Sequence, residues 1–185
     1  MGKNTAYVTG TAIIKNNKLL GYLNEQETKS LLWIQDKLKG GLFVVKDAGE
    51  TDTNVSLEIF KSKTKTKPEV IGGKLVMKVA LTVDVNIGEI MSSEDFISEK
   101  GRKVLKKDAE KQIKKNLDSL IEKAQKEYKA DFLGFGEKIK RHMPSIWKSI
   151  EKQWDEIFVD METVVEVDVR IKGSATTRKP IKVGD

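Results

Sequence analysis

Thirteen residues, "LVMKVALTVDVNI" at positions 75–87, constrain the fold more than any other stretch of this chain. Every odd position is apolar, and the even ones are mostly polar or small. That period of two belongs to a long extended strand with one buried face. It is the longest clean amphipathic pattern in the sequence, so the strand is expected at the centre of a sheet. Just upstream, "VIGGK" places Gly72-Gly73 where a tight hairpin turn belongs, and "NVSLEIF" supplies a partner strand that buries Val55, Leu57 and Ile59.

The partner strand runs on into "KSKTKTKPEV", where lysine holds every second position: Lys61, Lys63, Lys65 and Lys67. These lysines share parity with Val55, Leu57 and Ile59, so a regular strand would drive four ammonium groups into the core. Either a β-bulge near Phe60 switches the faces, or the strand leaves the sheet there; the bulge is the favoured reading. Phe60, Ser62, Thr64 and Thr66 then share one face, and the lysines line the other about 7 Å apart. Two roles compete for this comb. Lysines and Pro68 on an exposed edge keep other chains from pairing with the sheet; alternatively, the row meets an acidic partner, a small anionic ligand or lipid headgroups.

The rest of the pattern divides cleanly. "TAYVTGTAII" and "KLLGYL" flank Asn16-Asn17, a pair that tolerates the positive φ of a hairpin turn. In "NEQETKSLLWIQDKLKGG", Asn24 and Glu27 form a capping box, Leu31, Ile34 and Leu38 make a buried stripe beside Trp33, and Gly40-Gly41 is the expected helix end. From Glu94 the period becomes helical. Val104/Leu105, Ala109, Ile113, Leu117, Leu120/Ile121, Ala124 and Tyr128 recur at three and four, opposite a lysine-rich face. A further stripe (Trp147, Ile150, Trp154, Ile157/Phe158) follows Pro144, and Val165, Val167, Val169 and Ile171 alternate in a last strand. The fold class is therefore α+β: a mostly antiparallel sheet of four to six strands, with a long helix and shorter helices packed against it. No repeat or low-complexity linker interrupts residues 1–185, which reads as a single domain able to bury roughly 70% of its unfolded surface.

Composition narrows the chemistry. There is no cysteine, which removes disulfides, thiolate catalysis and Cys-ligated metals, and the one histidine, His142, cannot make a multi-histidine site. Asp155, Glu156, Asp160 and Glu162 crowd together without the spacing of a calcium loop. Between Glu99 and Arg141 there are 14 Lys or Arg against 8 Asp or Glu, which accounts for the whole net charge of +6. That surplus is modest, and between Glu99 and Ala130 the one aromatic is Tyr128, so no nucleic-acid partner is expected. In "KADFLGFGEKIKRHMP", Gly134 and Gly136 follow a long helix and precede a short one. No third glycine or Gly-Lys-Ser/Thr follows, so the phosphate-binding fingerprint is missing. The pair reads as a structural joint, with a left-handed glycine, a packed Phe132-Leu133-Phe135 corner and a helix restart at Glu137. No catalytic, cofactor-binding or metal-ligating residue emerges.

Taken in order, "GTAIIKNNKLLGYLNEQETKSLLWI", "LEIFKSKTKTKPEV", "VDVNIGEI" and "AQKEYKADFLGFGEKIKRHMPSIWKSIEKQWDEIF" resemble the C-terminal domain of the Ger(x)C spore germination proteins, from about Gly10 to Lys172. The stretch "KGSATTRKP" departs from the family pattern after the last strand. The resemblance implies the distal, non-catalytic domain of a germinant receptor C subunit. Such subunits are lipoproteins held at the spore inner membrane beside membrane-embedded A and B subunits. By the same implication this chain is a soluble piece of a longer lipoprotein, since it lacks the lipobox cysteine and the domains before it. The role implied is receptor assembly, or coupling of germinant sensing to germination, without a cofactor.

Overall fold

The computed structural model describes residues 9–51, 53–90 and 95–174. The start of the first predicted strand, Glu94 and the divergent segment after Ser174 lie outside them. Two strands, β1 (Thr11–Lys15) and β2 (Lys18–Leu23), form a hairpin of their own, turned by Asn16 and Asn17 at φ of 51° and 62°. Helix α1 (Glu25–Ile34) follows and carries the expected capping box: the Glu27 N–H donates to Asn24 Oδ1 at 2.9 Å, and the Asn24 N–H donates to Glu27 Oε2 at 2.7 Å. Strand β3 (Gly41–Val45) comes next. Two 17-residue strands, β4 (Val55–Ile71) and β5 (Lys74–Ile90), then form a long hairpin across Gly72-Gly73, both glycines at positive φ.

A helical crossover follows. It comprises α2 (Glu99–Glu122), a π turn at Lys123–Glu127, α3 (Phe135–His142), α4 (Pro144–Ile150) and α5 (Trp154–Asp160). The last strand, β6 (Glu162–Ser174), lies parallel to β5. The main sheet therefore has the order β3-β4-β5-β6, antiparallel except for its last pair, and β5 occupies the interior position expected of it.

One face of this sheet is buried. Val55, Leu57 and Ile59 of β4, Val79, Leu81, Val83, Val85 and Ile87 of β5, and Val165 and Val169 of β6 pack in one core with Leu105, Ala109, Ile113, Leu117, Leu120 and Ile121 of α2. The six α2 residues recur at helical spacing, which is why the helix lies flat on the sheet. Helix α2 also closes the β6 edge: Glu110 Oε1 accepts the Val169 N–H at 2.9 Å, and Lys106 Nζ donates to Asp168 Oδ1 at 2.7 Å. At the π turn the buried Gln125 amide donates to the carbonyls of Phe158 and Met161, tying the end of α2 to the end of α5. Buried acceptors left unpaired would each cost on the order of 1–3 kcal/mol, so this glutamine holds the crossover together.

Two expectations need correction. The first helix ends at Ile34, well before Gly40-Gly41, because Asp36 adopts φ 59° and its carboxylate is drawn to β4. The Gly40-Gly41 pair instead opens β3. The helix predicted from Glu94 begins only at Glu99, capped by Ser98, and residues 95–98 before it are not helical; the N-terminal hairpin stands as a separate two-stranded unit.

Candidate interaction surface

The sheet register shows how the lysines escape the core. Ile59 pairs with Val85 and Lys61 with Asp84, so Phe60 is an extra residue and the strand switches faces there. Beyond it Thr64, Thr66 and Pro68 turn inward and are buried, while Lys61, Lys63, Lys65 and Lys67 are exposed on the outer face. Phe60 itself does not join the inner face; it stays 47% exposed, as the unpaired residue of the bulge. Across the outer face the lysines meet Asp84, Thr82, Ala80 and Lys78 of β5, behind which stand Arg170, Asp168, Glu166 and Val164 of β6.

These neighbours do not treat the four lysines alike. Lys63 pairs with Asp36, whose other oxygen accepts the Thr64 N–H at 2.9 Å. Burial pulls the Asp36 carboxyl upward, but the Lys63 ammonium and the Thr64 N–H together outweigh it and hold the group below the usual carboxylate range. Lys61, Lys65 and Lys67 have no ion pair among the described residues. Lys67 stands directly opposite Lys78, and that like-charge juxtaposition is relieved by the bond from Lys78 to Glu69 at 2.8 Å and by the nearby Glu166. The bond to Glu69 also raises the Lys78 ammonium above its ordinary value.

Between Ser62 and Thr66 the chain leaving α1 lies against the edge of β4. The Ser62 hydroxyl donates to the Leu38 carbonyl at 3.0 Å, the Thr66 hydroxyl to the Ile34 carbonyl at 3.4 Å, and the Thr64 N–H to Asp36. A covered edge has less need of a lysine guard. The second cationic face, on α2, is partly spent internally. Lys106 pairs with Glu110 and Asp168, Lys114 with Asp118, Lys123 with Glu27, and Lys126 with Asp160.

Three of these carboxyls share a pH signature. The bond from Lys106, then that from Arg170, holds Asp168 low against the opposing effect of burial. Burial raises Glu27, but Lys123 and the Asn24 N–H more than offset it. Groups with depressed native pKa values stabilise the fold above their unfolded pKa of about 4 and lose that contribution as pH falls through the native value. Urea midpoints are therefore expected to hold from neutrality to about pH 5 and to decline below about pH 4. Asp36→Asn should flatten part of that decline.

The glycine joint lies elsewhere, at the start of α3. Gly134 has φ +83°, the left-handed conformation expected of it, but it serves as the residue before α3 rather than as the end of the long helix. The left-handed residue that follows the π turn is Lys129, at φ 47°. Gly136 sits inside α3, where an added Cβ would come 2.8 Å from Trp154 Nε1 and 3.1 Å from Trp147 Cη2. The residue that organises the joint is Asp131, which sequence reasoning passed over. Its carboxylate accepts the N–H groups of Gly134, Phe135 and Gly136 at 2.7–3.0 Å and Trp154 Nε1 at 3.2 Å. An aspartate three residues before a glycine that opens a helix was the available signal.

The joint walls a cleft of about 390 Å³ with Ile14, Lys15, Phe132, Trp147 and Asp155 among its lining, bridged where Lys15 Nζ meets Asp155 at 2.8 Å. Of the remaining candidates, His142 is exposed at the end of α3, Asp155 is held by Lys15, and Asp160 by Lys126. Among the described residues, no three His, Asp or Glu side chains converge on a metal-sized site. Nor is any described helix long and apolar enough to cross a membrane.

Comparison with known proteins agrees with the resemblance. Residues 9–175 match the family model described as spore germination B3/GerAC like, C-terminal. Spore germination protein B3 of Bacillus subtilis (strain 168) is 31% identical over 96% of this chain and 47% of its own length. Spore germination protein A3 of the same strain is 30% identical over 89% of this chain and 43% of its own. The crystal structure of the GerBC protein superposes with a TM-score of 0.79 at 29% identity, covering 92% of this chain and 53% of that one. The chain thus spans about half the length of these relatives.

Proposed function

This chain belongs to the spore germination B3/GerAC-like family, and on that premise we propose that it is a non-catalytic domain of a germinant receptor C subunit. In this reading it contributes to receptor assembly or to the coupling of germinant sensing to germination, beside membrane-embedded A and B subunits. A lipid-anchored parent protein at the spore inner membrane would carry it, and residues 1–185 would act as one domain.

The observation that supports an assembly role is the comb on the open sheet face. Lys61, Lys65 and Lys67 are exposed and have no ion pair among the described residues, on a strand whose edge its own chain covers from Ser62 to Thr66. A row of exposed cations, three of them without an ion pair, on a rigid sheet suits an acidic partner surface, where it sets orientation and association rate more than raw affinity. The unpaired Lys65 and Lys67 side by side on one face keep a small anionic germinant or lipid headgroup as the alternative occupant.

Charge reversal should be made at Lys65 and Lys67, not at Lys63, because a glutamate at 63 would face Asp36. Lys65→Glu with Lys67→Glu is expected to leave stability within about 0.5 kcal/mol, as exposed positions do. Recovery of the domain with the membrane-embedded subunits should fall, with a salt dependence that the variant loses. Unchanged recovery and normal germination of spores carrying the variant would leave the comb without an interaction role. Lost retention of an anionic small molecule, with recovery intact, would favour the alternative.

A further inference from the structure

The β1-β2 hairpin carries an apolar surface that nothing in the described structure covers. Ile14 is 67% exposed, Leu19 53%, Leu20 37% and Tyr22 67%. Single exposed apolar residues are ordinary on a soluble protein, but these four are contiguous. Ile14 pairs directly with Leu19, Tyr22 with Ala12, and Leu20 is the extra residue at the irregularity between them. We propose that this hairpin is a membrane-interface element that seats its apolar side chains in the surface of an anionic lipid bilayer.

Charge argues for that occupant. No acidic residue occurs between Thr9 and Asn24, while Lys15 and Lys18 bracket the Asn16-Asn17 turn and Lys129 adjoins Lys15 through its carbonyl. Aliphatic side chains beside a tyrosine, with lysines at the rim, match the boundary between acyl chains and phosphates. There the Lys18 stem lies along the apolar layer and its ammonium reaches the headgroups, while the Lys15 ammonium is held by Asp155. The hairpin itself carries no acidic residue, and of the nearby carboxylates Asp155 is neutralised by Lys15 and Asp131 by the N–H groups of α3.

The hairpin is also held firmly at its base. Ile13 and Leu23 are buried, the Tyr128 hydroxyl donates to the Tyr22 carbonyl at 3.1 Å, and Lys15 bridges to Asp155 at 2.8 Å. A surface fixed in this way loses little conformational freedom on binding.

The test exploits the absence of cysteine, which allows a single label per molecule. Leu19→Cys carrying an environment-sensitive fluorophore is mixed with phosphatidylcholine vesicles, alone or containing phosphatidylglycerol. A blue shift is expected with the anionic vesicles, smaller at high salt, and no shift from the same label at Lys111→Cys on α2. In cosedimentation, Ile14→Ser with Leu19→Ser and Tyr22→Ser should weaken binding about tenfold or more. A Lys111→Gln chain, altered at an exposed position on α2, should bind as before.

Several results would overturn the proposal: no shift with anionic vesicles, undiminished binding by the serine variant, or binding lost in the Lys111→Gln chain. A shift that grows with protein concentration without vesicles would do so too, pointing to a second copy of the chain. Should the serine variant fail to fold, the label at position 19 and Lys18→Glu, which should weaken anionic binding, still decide.

Discussion

Replacing Asp131 with alanine should destabilise the fold by about 2–4 kcal/mol, more than most single substitutions in this chain. Both carboxylate oxygens are fully engaged: Oδ1 accepts from Gly134 and Phe135, and Oδ2 from Gly136 and Trp154 Nε1. Three of those donors are N–H groups at the start of α3, which have no partner within the helix. Gly134, the residue before the helix, has no side chain with which to cap them. A helix cap is usually worth about 1 kcal/mol, and bonds to a charged acceptor about 1.5–3 each, with losses in one network partly shared. Asp131→Asn keeps one acceptor oxygen but turns an NH₂ toward the other donors, so it should recover no more than about half of the loss. Urea unfolding of the two variants would test this. A change under about 0.5 kcal/mol for the alanine variant would mean that solvent replaces the carboxylate without penalty.

The long hairpin was legible because its information is local. The apolar alternation of residues 75–87 and the parity conflict between Ile59 and Lys61 each admit one economical solution, a central strand and a bulge at Phe60. The cap formed by Asn24 and Glu27 is local in the same way. What escaped notice depends on partners far along the chain. Helix α1 stops early because Asp36 is drawn to Lys63 and Thr64, almost thirty residues away, and no local glycine signals it. Asp131 gains its fourth partner from Trp154 on another helix. The separation of the first hairpin from the main sheet follows from where Ile13 and Leu23 find apolar surface, and strand periodicity carries no information about that. The comb was visible as a pattern, but the inequality of its members was not. Which lysine is spent on Asp36 is decided by a loop that only the fold brings alongside.

The two glycines of the joint should part company on substitution, and the one with the ordinary backbone should be the costlier. Gly134 has φ +83° but open space where a Cβ would go, so Gly134→Ala should cost about 1 kcal/mol, the strain of a left-handed alanine. Gly136 lies within α3, where helix propensity alone would favour alanine by up to about 1 kcal/mol. Sterics oppose that gain. The new Cβ would sit 2.8 Å from Trp154 Nε1 and 3.1 Å from the Trp147 ring. Neither ring can step back cheaply: Trp147 and Trp154 meet edge-on at 5.6 Å between centroids, and Trp154 rests on the fully buried Phe158 at 5.8 Å. Moving Trp154 would also stretch its bond to Asp131. Overpacking of this kind costs about 1–3 kcal/mol, enough to overcome the propensity gain, and valine should cost more than alanine. The measurement is thermal unfolding of Gly134→Ala, Gly136→Ala and Gly136→Val, read with tryptophan emission as a report on the displaced rings. A Gly136→Ala protein more stable than wild type would show that the tryptophans yield, and that the glycine is not there to admit them.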